Sequence, residues 1–383
     1  MIRNPKNINI LLYKLSQELI DAKTNKRTVT VDNNIITCLV NNIFKINLDK
    51  KDHKIFNLNI SVLTNCALHS IENKNVILQY TSEFSLYFKN NLHHFKDINV
   101  KLITAFISTL MSNMNAYEIV IKYVPFLNSI ANYPRYKHNI DILHHTTLAI
   151  YHITNFNTEN NSNLQLLIDF PNIIQYLMEV YFCKDELIQY YSIKSLAGLV
   201  SGTEEQSYQL LSQYPVILDI FIRTLTTDSK KMIACLFWGF SNIPFHRIQY
   251  NIDTPLYIIR EYIILFFGTA NSIKNDNSTL LLKTNMVSLI SNIMIHGTSF
   301  HKKQFIHQDI ITIFIYFILD FFTYNKTDDV IFDYFIDGFE AIVDEYKHMI
   351  KHANGIECLS IILNSENKHL QSRIYDIINV LQK

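Results

Sequence analysis

The sequence predicts an all-α protein built from stacked helical repeats, and three observations predict it. A ten-residue segment, Ala234-Cys235-Leu236-Phe237-Trp238-Gly239-Phe240-Ser241-Asn242-Ile243, recurs in weaker copies along the chain. The alternation of apolar and polar residues that marks a half-buried strand is nearly absent. Glycine is rare, seven in 383 residues, and several glycines fall where one repeat would pass to the next.

The copies emerge by aligning helix faces rather than identities. They are Val62-Leu63-Thr64-Asn65, Phe106–Met111, Leu148–Ile153, Lys194–Leu199, Ser288–Ile293 and Ile336–Ile342. The positions equivalent to Asn242 are then 65, 110, 152, 198, 242, 292 and 341, with steps of 45, 42, 46, 44, 50 and 49 residues. A period of roughly 40–47 residues without strands is the mark of armadillo or HEAT repeats. The two long steps predict insertions in the last third of the chain.

In chain order, Leu11–Leu19 predicts a short amphipathic helix with Leu12, Leu15 and Leu19 on one side, followed by a polar entry over residues 20–34. Residues 1–34 therefore form an N-terminal segment and residues 35–383 the repeat solenoid, with degenerate capping units before residue 60. Pro125, Pro215 and Pro255 lie between one third helix and the next repeat, and Asn155–Asn163 and Thr226–Lys231 mark turns. Gly202 and Gly297 follow their helices where a left-handed cap is expected. The apolar stretches Ile310–Leu319 and Tyr257–Phe267 are too short, or too charged, to cross a bilayer and read as buried third-layer helices. Asn354–Gln382 reads as a final two-helix cap.

Composition excludes several functions. Lys plus Arg and Asp plus Glu both total 34, so no excess positive charge draws the chain to nucleic acid. Residues 1–10 lack the apolar core of a secretory signal. Five scattered cysteines, at 38, 66, 183, 235 and 358, without a Cys-x-x-Cys pair, read as buried small residues of a reducing compartment. No phosphate-cradling glycine loop, Gly-x-Ser-x-Gly or His-Glu-x-x-His occurs, so the chain reads as a binding protein, not an enzyme, with no cofactor and no small-molecule substrate. His144, His145 and His152 lack a ligand partner at metal spacing and read as polar lining. Glu204-Glu205 and Asp344-Glu345 read as solvated turn charges rather than acid–base pairs.

The residues that point to a function are Trp238 and Asn242. Four apart, they share one helix face. An indole stacks on the stems of cationic side chains, and an amide bonds the backbone of an extended peptide. Asn65 and Asn292 occupy the same position in other repeats, and Glu204 and Glu205 stand one repeat earlier, placed to attract a cationic head.

Four places in the chain resemble importin α, the armadillo-repeat receptor for nuclear localisation signals. Lys194–Gln206 is similar to the family's Arg-Ala-Val-Gly-Asn-Ile-Val-Thr-Gly-x-x-x-Gln. Trp238–Ile243, followed by Arg247-Ile248-Gln249, is similar to its Trp-x-x-Ser-Asn-Ile and Gln-Ile-Gln. Asp337–Ile342 resembles Asp-Ala-Leu-x-Asn-Ile, and Asn354-Gly355-Ile356 with Asn364–Asn367 resembles the terminal Gly-Gly-Leu and His-Glu-Asn. The resemblance spans roughly residues 60–383 by repeat counting. It implies a right-handed superhelix whose third helices line a groove, cargo proteins with basic signal peptides as partners, no membrane or nucleic acid, and shuttling between cytoplasm and nucleus. The peptide-binding residues it implies are Trp238, Asn242, Asn292, Asn65, Glu204 and Glu205. The chain departs from the pattern elsewhere. The Trp position is Ser61, Phe106, Leu148, Lys194 and Ser288, and the Asn position is Leu110, His152 and Gly198 in the intervening repeats. Residues 1–30 disperse Arg3, Lys6, Lys14, Lys23, Lys26 and Arg27 instead of presenting the basic block that binds importin β, which argues against that partner by the usual route.

Overall fold

A computed structural model describes residues 5–25, 29–46, 48, 52–112, 121–155, 161–247, 253–270, 276–324, 329–363 and 368–383. Among these residues there are 21 α-helices and no strand. The chain divides into two compact units, residues 1–195 and 196–383.

The first unit contains α1 (Pro5–Thr24), α2 (Asn33–Phe44), α3 (His53–His69), α4 (Ile71–Leu78), α5 (Thr81–Asn91), α6 (Asp97–Met111), α7 (Val124–Ala131), α8 (Ile140–Thr154), α9 (Ser162–Ile168), α10 (Pro171–Val180) and most of α11 (Glu186–Val200). The second continues with α12 (Glu204–Gln213), α13 (Val216–Thr224), α14 (Lys230–Ser241), α15 (Asp253–Ala270), α16 (Asn277–His296), α17 (Ser299–Phe305), α18 (Gln308–Tyr324), α19 (Asp329–His352), α20 (Gly355–Ile362) and α21 (Lys368–Gln382). A triplet recurs, two shorter helices followed by a longer one, as in α4–α5–α6, α9–α10–α11, α12–α13–α14 and α17–α18–α19. The third helices pack side by side, α3 on α6 on α8 in the first unit and α14 on α16 on α19 on α21 in the second.

Local chemistry sets the boundaries. Thr203 and Gln206 form a reciprocal capping box at the start of α12: the Gln206 N–H donates to the Thr203 hydroxyl at 3.3 Å, and the Thr203 N–H to the Gln206 Oε1 at 2.9 Å. Asp276 caps α16 by accepting from the Thr279 N–H at 2.7 Å. Proline opens α7 and α10 at the first turn, where its missing N–H costs nothing. Gly239 is required by packing: a Cβ there would meet the Phe221 ring at 2.9 Å and the Ala197 Cβ at 3.1 Å. In the first unit the core is a chain of phenylalanines, with Phe84 5.2 Å from Phe106 and Phe88 5.7 Å from Phe126 between ring centroids. Each such fully buried ring stabilises the fold by about 1.5–3 kcal/mol relative to exposure.

Four expectations are corrected. First, α1 runs on through residues 20–24, because Ala22 extends the buried stripe of Leu12 and Leu19. Second, no glycine among the described residues adopts a left-handed cap. Gly297 leaves α16 in an extended conformation, and Thr298, also extended, caps α17 directly, so the chain passes from helix to helix without a left-handed turn. The left-handed residues are Asn161 and Asn354. Third, Ile310–Leu319 and Tyr257–Phe267 lie in the second helices α18 and α15, with Tyr257, Leu265 and Tyr316 exposed. Fourth, the terminal unit begins before Asn354: α19 holds two helices joined at Tyr346 (φ −112, ψ 17), so the third helix of one triplet runs into the short first helix that precedes the two helices expected over Asn354–Gln382. By length and hydropathy alone α16 could cross a membrane, but more than half of it is buried against its neighbours.

Candidate peptide-binding face

In the second unit the site begins at α14. Trp238 is half-buried in its last turn, and Asn242 follows the helix as its C-cap, exposed. Among the described residues no ring or cation pairs with the indole, so its exposed part is open to a ligand. Asn242 donates its side-chain N–H to the Trp238 carbonyl at 2.6 Å and also approaches the Ser241 hydroxyl at 3.4 Å. One orphan carbonyl of the helix end is thereby satisfied.

Asn292 lies half-buried on α16 and donates its amide to the Ser241 carbonyl. Asn285, two turns earlier, does the same to the Ala234 carbonyl at 2.8 Å. The two asparagines staple α16 to α14. Each amide retains a second N–H.

The acidic groups expected beside Trp238 are committed elsewhere. Arg247 forks between Glu204 at 3.3 Å and Glu205 at 2.8 Å, lies 4.8 Å over the Tyr208 ring, and shares Glu204 with His246 at 3.0 Å. Ile248 and Gln249, and likewise Asn364–Asn367, lie outside the described residues. The carboxylates on the third-helix face stand instead on α19: Asp333, Asp337 and Glu340. They meet Arg373 of α21, whose guanidinium bonds Asp337 and Glu340 and lies 3.9 Å from Asp333. Glu340 foremost, then Asp337, push the Arg373 pKa up. Three carboxylates around one guanidinium leave this stretch negative, and Asp344 and Glu345 are exposed one turn on. Sequence reasoning missed this stripe, although the repeat frame steps from Trp238 through Ser288 to Asp337.

In the first unit the equivalent positions are filled differently. Half-buried residues there are Ser61 and Asn65 on α3, His144, His145, Leu148, Tyr151 and His152 on α8, and Tyr190, Tyr191 and Lys194 on α11. Lys194, at the Trp position, donates to the Tyr151 hydroxyl at 3.0 Å and lies 4.9 Å from the Tyr151 ring centroid and 5.7 Å from that of Tyr190. Burial pushes the His145 and His152 imidazoles down to about 4, with His144 and Lys74 respectively adding to the effect. The frame is wrong in α6, where Phe106 and Leu110 are buried and Ala105 and Thr109 take the half-exposed positions. Gly198 is buried as well. Among the described residues no three His, Cys, Asp or Glu converge as a metal site.

No protein-family model and no curated protein matches the chain. Solved structures do. An engineered protein superposes with a TM-score of 0.67 at 14% identity, covering 90% of this chain and 78% of its own. A designed armadillo repeat protein in complex with the peptide (KR)4 superposes with a TM-score of 0.52 at 16% identity, over 67% of this chain and 99% of its own. A second designed armadillo repeat protein gives 0.51 at 14% identity over the same shares. The fold is that of an armadillo-repeat solenoid. In an armadillo frame the recurrent long helices of the triplets, with Trp238, Asn242, Asn292 and the α19 carboxylates, are the third helices.

Proposed function

We propose that the chain is an adaptor that binds basic, extended peptides on the third-helix face of its second unit and carries proteins bearing such signals between cytoplasm and nucleus. The observation that carries the peptide reading is the sequence of side chains along α14, α16 and α19: an unpaired half-buried indole, asparagine amides, then a negative stripe. A cationic stem stacks on Trp238, a contact worth about 0.5–2 kcal/mol. The Asn292 amide reaches the peptide backbone with the N–H it still holds, Asn242 does so by exchanging its long contact to the Ser241 hydroxyl, and Asp337 and its neighbours select the cationic heads in place of Glu204 and Glu205. One of the designed armadillo proteins that superpose on this chain is in complex with (KR)4, which supports the ligand class. The import role rests on the resemblance to importin α. Asn65 lies in the first unit and is assigned to the same chemistry there.

The test is fluorescence anisotropy of labelled (KR)4 with the full chain. Trp238→Ala is expected to weaken binding about tenfold, about 1–2 kcal/mol, and Asn242→Ala about fivefold, one exchanged hydrogen bond. Binding is also expected to weaken with salt. Unchanged affinity in both variants, with both folded, would overturn the peptide reading. A second reading, an armadillo scaffold for a different partner, is favoured by one observation: Arg247 already holds Glu204 and Glu205. That reading predicts no binding of (KR)4 at all.

A further inference from the structure

We infer that the third-helix face of the first unit docks an acidic peptide segment, its carboxylates set against Lys194, His144, His145 and His152. This face is separate from the basic-peptide face and does not depend on it.

The side chains form one connected patch from α8 to α11. The His144 ring lies 5.8 Å from Tyr191, Tyr191 lies 5.2 Å from Tyr151, and Tyr151 lies 5.3 Å from His152. Lys194 bonds into this patch through the Tyr151 hydroxyl. Two buried polar atoms in it, His144 Nε2 and His145 Nδ1, have no hydrogen-bond partner. A buried polar atom left unmatched is costly, so neither ring rests in a fully satisfied arrangement.

The charges around the patch favour an anion. Lys101 of α6, Lys74 of α4 and Lys194 of α11 contribute positive charge. The facing carboxylate, Asp141, is paired with Lys101 at 2.6 Å. A basic peptide would meet Lys194 at the position where the second unit offers Trp238. An acidic one would meet a cation on an aromatic support and three imidazoles. Burial keeps His145 and His152 neutral near pH 7, and an arriving carboxylate favours their protonated form. Binding is therefore coupled to proton uptake and strengthens as pH falls. A peptide suits this face better than a nucleic acid. The whole chain carries no net charge, and a phosphate backbone needs a row of Lys and Arg, whereas the tyrosine rings offer a surface for peptide side-chain stems.

The test is anisotropy of a labelled octa-glutamate peptide with the full chain, read at pH 6 and pH 8, with thermal melts of every variant. The expected result is binding that is at least threefold tighter at pH 6. Lys194→Gln is expected to weaken it about tenfold, Lys194→Arg to preserve it, and Trp238→Ala to leave it unchanged. Glutamate side chains remain ionised at pH 6, with a pKa of about 4.3, while Lys74, pushed down to about 8 by burial, also gains charge toward pH 6, so the histidine variants are what isolate the imidazole share. If Lys194→Gln melts early, His145→Gln with His152→Gln carries the test: these should at least halve the pH dependence, leaving the share that Lys74 contributes. No binding, binding insensitive to both sets of variants, or equal competition by an RNA oligonucleotide would overturn the inference. Loss of (KR)4 binding with octa-glutamate binding retained would overturn the basic-peptide reading alone.

Discussion

The two units carry the same helical triplet, but the equivalent positions on their third helices carry opposite chemistry. In the second unit, Trp238, Asn242 and Asn292 lead to Asp333, Asp337 and Glu340. In the first, the corresponding residues are Leu148, His152 and Lys194, with tyrosines and further histidines around them. The backbone repeat is therefore indifferent to what its outward positions carry. Burial fixes the apolar faces of each triplet, and the remaining positions are free to select ligands of either sign. Lys194 shows this most directly. It rests on Tyr151 and Tyr190 much as a bound cationic side chain would rest on an aromatic residue, so the first unit supplies its own cation where the second unit leaves an indole open.

The comparison can be broken at several points. The largest expected effect is structural. Gly239→Val places side-chain atoms within the Phe221 contact and should destabilise the second unit by about 2–3 kcal/mol, the cost of overpacking. Urea unfolding would measure it, and an unchanged midpoint would show that α14 seats Trp238 less tightly than described. The next effect separates the units by pH. An unfolded histidine titrates near 6.5, while His145 and His152 are held down to about 4. Between these values the unfolded chain binds more protons, so stability is fully present above about pH 6.5 and is lost as pH falls toward 4. After discounting for partial exposure, the loss is on the order of 2 kcal/mol. His145→Gln with His152→Gln should flatten that slope in acid denaturation.

The remaining two tests sharpen the second unit. Arg373→Gln removes the guanidinium from among three carboxylates. Affinity for (KR)4 should rise about threefold as the stripe becomes free, while stability falls by about 1 kcal/mol, as for a partly exposed network. A fall in affinity would show that the α19 carboxylates lie away from the ligand. The smallest effect belongs to Glu204→Gln with Glu205→Gln. These are exposed pairs with Arg247, so the urea midpoint should hardly move, and (KR)4 affinity should not change.

The repeat architecture was legible because burial repeats. Leu63, Leu196 and Ile290 keep their inward positions wherever the frame is aligned correctly. The frame failed in α6, where Phe106-Ile107 and Leu110-Met111 place apolar residues on adjacent faces and leave no polar edge to fix the rotation. Trp238 and Asn242 were legible from four-residue spacing alone. The commitments of Glu204 and Glu205 were not, because their partner lies 43 residues on. That separation is itself the signal that was available. Lys101–Asp141 spans 40 residues, Lys137–Glu179 spans 42, and Lys194–Tyr151 spans 43. Pairs of opposite or complementary side chains one period apart identify inter-repeat bonds. Asp337 could have been found by asking which charges, as well as which tryptophans, occupy the frame.

The staples by which Asn285 and Asn292 bind α16 to α14 each span 51 residues, and the other bonds just named span little more than 40. In a chain of 383 residues these are short loops to close. Contacts of low sequence separation favour fast folding, and a nascent chain emerges from its N-terminus at about 5–20 residues per second. Each triplet therefore has its nearest bonding partner already synthesised within seconds of its own completion. The protein can assemble in the order it is made, one helix row onto the last, without waiting for its C-terminus.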